Sequence, residues 1–245
     1  MQGQESLGTG TVSRVPAAGM FQLRLMWRLA EKDLKVAYRS KQTFSTTLFF
    51  AVLILTTFVF AFDPGSRAIR EATPGILWVA LIFPGLIQLN RSFQVEMDED
   101  TLQGLVLSPA DRGVIFLGKV IASWIFLLIV DLLVLAVFLV GFNFSLSQGV
   151  LWVVLLIGLA GAGFSGVGTL FAAMVSGVRT REVLFPILLL PVIVPIIIAA
   201  VNATQEVLVL EEIRFLSSWI ELLVVFDVIT LAGGFWLFEY VVADR

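Results

Sequence analysis

Cysteine and histidine are both absent from the 245 residues. No disulfide, thiolate nucleophile or Cys-ligated metal can form, and the redox compartment leaves no trace in the sequence. Without histidine there is no imidazole metal ligand, no usual haem axial ligand and no Ser-His-Asp triad. Charge is scarce too. Lys, Arg, Asp and Glu make up 14% of the chain, against about 25% in soluble domains. The net charge of −3 and pI near 5.0 leave no basic footprint for nucleic acid.

Apolar residues take up the difference. They form 58% of the chain, and the mean hydropathy is +0.97. A water-soluble core of this length cannot hide that much apolar surface, so one membrane-embedded, all-α unit is expected. A spanning helix needs about 20 mostly apolar residues. Six stretches qualify: 43–62, 74–90, 117–140, 150–176, 183–201 and 218–241. The second carries Pro84–Gly85, and the fifth carries Pro186, Pro191 and Pro195. Six spans put both termini on one side, together with thirteen of the sixteen Lys and Arg. That asymmetry predicts cytoplasmic termini.

The flanking segments differ in character. Residues 1–20 are rich in Gly, Gln, Ser and Thr and are expected to form a disordered tail. In 21–42, Phe21, Leu25, Trp27, Leu29, Leu34, Val36 and Tyr38 alternate with basic residues. This predicts an amphipathic helix at the cytoplasmic interface, a plain positive flank being the alternative. The largest cytoplasmic loop is 91–116. There Val95, Leu102, Leu105, Val106 and Pro109 suit a short amphipathic helix, and Glu96, Asp98, Glu99 and Asp100 would favour its N-terminus. This is the candidate docking segment for a cytoplasmic partner. The competing reading is a solvated hairpin with capping acids. The acids lack the turn glycine and further ligands of a cation loop.

Inside the spans, GFSGVGT at 163–169 imitates a phosphate loop but has no lysine. Helix packing explains it better. Gly158, Ala162 and Gly166 recur every four residues, a spacing that lets membrane helices approach closely. Asp131 and Asp227 are ionisable residues far from either end of their spans, where charge is costly and points to function. At 1.5 Å per residue, Asp131 lies roughly 18 Å from the inner edge and Asp227 roughly 12 Å below the outer one. They are predicted at similar depth. A wet cavity and a pair of neutral, hydrogen-bonded acids both account for them. Pro191 and Pro195, four apart, each remove a backbone donor and mark a candidate hinge or a static kink.

Four runs together carry a family resemblance: MWRLAEKDLKVAYRSKQTF at 26–44, TPGILWVALIF at 73–83, NRSFQVEMDEDTLQGLVLSPADRGVIFLGKVIASW at 90–124 and LPVIVPIII at 190–198. Their order and spacing, over about 20–200, resemble the cytochrome c maturation protein B (CcmB, haem exporter protein B) family. The resemblance implies an ABC-2-like exporter permease architecture in the bacterial cytoplasmic (inner) membrane. It implies a separate cytoplasmic ABC ATPase, the A subunit, together with a haem-handling C subunit, a small D subunit and a periplasmic haem chaperone. It implies no catalysis and no bound cofactor in this chain, with ATP and haem handled by partners. It also implies that force enters through the helix between spans 2 and 3. Glu96, Asp100, Leu102, Leu105, Leu107 and Pro109 are the expected ATPase contacts. The alternatives are an ABC permease for another lipid, polymer or drug, an ion-coupled carrier using Asp131 and Asp227, and a non-transporting scaffold that positions partners.

Overall fold

The structure, a computed structural model, describes residues 18–39, 41–62, 67–98, 111–144, 148–210 and 214–243. Among the described residues the chain is helical throughout. The helices are α1 (Ala18–Arg39), α2 (Lys41–Ala61), α3 (Arg67–Asp98), α4 (Arg112–Gly141), α5 (Gln148–Val175), α6 (Arg181–Gln205) and α7 (Leu216–Ala243). A π-turn, Glu206–Leu210, extends α6. Six helices, α2 to α7, are long and apolar enough to cross a membrane.

The apolar runs explain the helices' existence, but their polar ends explain their lengths. In lipid every backbone group must be bonded internally, which leaves the helix as the economical solution. α3 begins at Arg67, well before the apolar run at 74. Arg67 Nε pairs with Glu71 Oε1 at 2.7 Å one turn on, which supports the added turns. α4 starts where Asp111, in extended conformation, accepts a hydrogen bond from Gly113 N at 3.0 Å. Such a cap is worth about 1 kcal/mol.

α4 organises the bundle. Its 30 residues make a rod about 45 Å long, more than the roughly 30 Å of a hydrocarbon core. The first half packs on α7 and α1. Phe116 meets Phe238 at 5.6 Å between ring centroids, and Arg112 Nη1 donates to Glu239 O at 3.1 Å. On its other side, a Cβ at Gly118 would lie 3.1 Å from Met26 O and 3.2 Å from Leu29 Cβ. Lys119 Nζ reaches Asp33 at 3.4 Å. The second half packs on α2, from Phe44 against Phe126 at 6.4 Å to Val59 beside Gly141. Thus α1 and α2 follow one another along a single long helix.

The core lies between α3, α4, α5 and α6, where Leu77, Phe138, Leu156, Phe185 and Ile193 are fully buried. Phe49, Phe60, Val225, Ile229 and Trp236 on α2 and α7 are exposed instead. In water those faces would be aggregation-prone patches. In a bilayer they face hydrocarbon.

Candidate functional site: carboxylates and close packing inside the bundle

Small residues on α5 set the geometry of the interior. Gly163 is in contact with Asp227 Oδ1, and its Cβ position lies 3.1 Å from Ile196 and 3.2 Å from Phe226. Gly166 faces Leu231 and Thr230 of α7, whereas Gly168 is pressed by Leu89 of α3. Ala162 is half-buried. Gly158 leaves open space at its Cβ position, and its carbonyl accepts from Trp124 Nε1 at 2.8 Å. Of the predicted row of Gly158, Ala162 and Gly166, the last makes a close helix contact. Gly163 and Gly168, which the four-residue spacing does not select, make the others.

Asp131 and Asp227 come to the same layer of the bundle. Both are buried, each with 8% of its surface exposed. Asp131 of α4 lines a cavity of about 20 Å³ with Trp78, Phe164, Ile193 and Ile196. That is room for about one water molecule, not for a porphyrin. Asp227 of α7 lies on the other side of the same α5 turn, against Gly163. Its Oδ1 is buried and makes no hydrogen bond of good geometry. Ile196 of α6 belongs to both environments. No ion pair to either carboxyl exists among the described residues.

Several polar contacts were not signalled by the sequence. Trp78 Nε1 donates to Thr204 Oγ1 at 2.9 Å, joining α3 to α6. Glu206 is buried at the π-turn. It accepts from Trp219 Nε1 and from Phe215 N, each at 3.1 Å. A widened π-turn shifts the register of the residues that follow, and such turns recur at functional sites. Here it delivers a carboxylate to the first turn of α7. The fifth span read from the sequence closes at 201, where the apolar run falters at Asn202, but the helix goes on.

Pro191 and Pro195 lie within the unbroken α6, and both are exposed. Their missing N–H groups release the carbonyls of Ile187 and Pro191 on that outward face. Glu96 falls in the final turns of α3, and its side chain lies outside the described part. Asp100, Leu102, Leu105, Leu107 and Pro109 also lie outside the described residues. Among those that are described, no three carboxylates gather to hold a metal.

Six long apolar helices around a buried core, with intramembrane carboxylates, define a multi-pass α-helical membrane protein. The sequence profile of the CcmB protein family matches residues 24–238, and the chain belongs to that family. The match continues past residue 202 and takes in the π-turn and most of α7. Heme exporter protein B of Escherichia coli K12 is 30% identical over 100 residues, 41% of this chain and 46% of the relative. That alignment therefore spans about half the length of the relative. Heme exporter protein B of Haemophilus influenzae is 27% identical over 179 residues, 72% of this chain and 80% of the relative. The Pseudomonas aeruginosa protein of the same name is 28% identical over 184 residues, 72% and 79%.

Proposed function

We propose that the chain is the membrane subunit of an ABC complex that serves cytochrome c maturation, coupling a separate ATPase to haem delivery. The family match over 24–238 carries this reading, and relatives named heme exporter protein B support it. The complex sits in the bacterial inner membrane with both termini cytoplasmic. Its ATPase is the A subunit, and the C and D subunits complete it. ATP is hydrolysed on the partner, and this chain is not catalytic. Haem stays with the C subunit and the periplasmic chaperone, because a chain without His or Cys offers only Met and Tyr as side-chain ligands. ATP hydrolysis drives release of the haem-loaded chaperone.

Coupling runs through the last turns of α3 and the segment that follows it. Glu96 and Asp100 pair with basic residues of the ATPase, while Leu102, Leu105, Leu107 and Pro109 fill an apolar groove. Leu102→Asp combined with Leu105→Asp is expected to abolish ATPase recruitment while leaving the spans folded. Co-purification of the ATPase at the wild-type level would count against this docking segment.

The deciding experiment is a mild-detergent pull-down of the tagged chain from its native membrane, with partners identified by mass spectrometry. An ABC ATPase recovered with a haem-handling membrane protein supports the proposal. An ATPase alone favours an exporter of another lipid, polymer or drug. Recovery of neither from an intact preparation brings forward a carrier using Asp131 and Asp227.

A further inference from the structure

α1 has three faces rather than two. Leu29, Ala30 and Asp33 turn toward α4, where Ala30 is buried and Asp33 reaches Lys119. Arg24, Arg28, Lys32, Lys35 and Arg39 are spaced four, four, three and four, and form one exposed stripe. Between these faces lie Leu23, Trp27 and Tyr38, which are 63%, 59% and 75% exposed. Apolar and amphipathic rings beside a row of cations match the boundary between headgroups and hydrocarbon.

At the C-terminal end of α1 the last two faces meet a cleft of about 260 Å³. Phe44 of α2 and Phe126 and Ile129 of α4 form its floor, and Leu34 and Tyr38 form its α1 wall. Lys35 and Arg39 stand at its rim. Lys35 Nζ lies 2.6 Å from Glu31 Oε1 and so is shared with that acid. Arg39, one turn further on, has no acidic partner among the described residues. Charge is confined to one end. Ile129 lies one turn beyond Phe126 along α4, and Phe44, Phe126 and Ile129 present only carbon to the cleft.

We propose that this cleft seats one acyl chain of an anionic phospholipid, whose phosphate is held by Arg39 and Lys35. An apolar partner helix would use the floor and waste the cations. A second copy would bring its own basic stripe against this one. An anionic lipid satisfies both ends of the cleft at once. The inference rests on the chain lying in a membrane and not on its partners, so it stands or falls separately from the cytochrome c reading.

The test uses the full chain in mild detergent, supplied with equal amounts of phosphatidylglycerol and phosphatidylcholine and examined by native mass spectrometry. One retained phosphatidylglycerol is expected, preferred by roughly tenfold, since each basic side chain near a lipid phosphate contributes several-fold. The variant combining Lys35→Gln and Arg39→Gln changes only exposed side chains, and should lose the preference. Ile129→Trp fills the floor and should lose the bound lipid although the cations remain. Thermal unfolding at the wild-type midpoint confirms that both variants are folded. Equal retention of the two lipids by the unaltered chain would overturn the proposal, as would an unchanged preference in the double variant. Lipid retained in full by Ile129→Trp would leave an anion site with no seated chain, and would overturn it too.

Discussion

A methyl group on Gly163 would overlap Asp227 Oδ1 and press on Ile196 and Phe226. Helices that approach on a glycine have no slack at that point, and overpacking costs about 1–3 kcal/mol. Gly163→Ala is therefore expected to lower the thermal midpoint in detergent. Adding Asp227→Ala to the same chain should recover most of the loss. If the double variant melts as low as the single one, the clash lies with Ile196 and Phe226 instead. Glu206 supplies a second residue-scale prediction. Its two oxygens serve two donors, Trp219 Nε1 and Phe215 N. Glu206→Leu leaves both partly buried donors without this acceptor, at about 1 kcal/mol for each. Glu206→Gln keeps one acceptor and should lose about half as much, measured by the same melting curves.

At the scale of the element, α1 is held to α4 by shape at Gly118 and by the ion pair of Lys119 with Asp33. Gly118→Leu drives a side chain into the Met26 carbonyl and Leu29. The expected result is faster proteolytic cutting within 18–39, with α2 to α7 still protected. Unchanged cutting would mean that α1 can shift without detaching. The elements differ in how far the sequence revealed them. The six spans were visible because apolar runs near 20 residues have few other uses, whereas the alternation of apolar and basic residues in 21–42 fits an amphipathic helix or a plain positive flank. The π-turn was not visible, since no residue type demands it and its acid resembles the start of a loop. Asp131 and Asp227 stood out as charges in apolar runs, and counting rise per residue placed them at similar depth. Their relation through Gly163 and Ile196 depends on which helices touch, and one-dimensional spacing does not encode that.

For the whole molecule, the absence of cysteine makes topology directly measurable. A single introduced thiol has no background. Asn143 follows α4 at one end of the bundle, and Arg179 lies between α5 and α6 at the other. The distribution of Lys and Arg predicts that Asn143→Cys reacts with an impermeant maleimide in intact spheroplasts. Arg179→Cys should react only after lysis. The opposite pattern would invert the chain in the membrane and remove 91–116 from reach of any cytoplasmic ATPase.

α4 differs from α3 and α6 in one further respect. Prolines interrupt the hydrogen bonds of α3 at Pro74 and Pro84, and those of α6 at Pro186, Pro191 and Pro195. α4 contains none over its 30 residues. In mechanical terms it is an axle without a break, whereas α3 and α6 each carry points where a backbone hydrogen bond is missing. A push applied beside Asp111 would arrive at Gly141 as a rigid tilt of the whole rod, carrying Asp131 with it. Ile196, which lines the same small cavity as Asp131, is the α6 residue that such a tilt would press on.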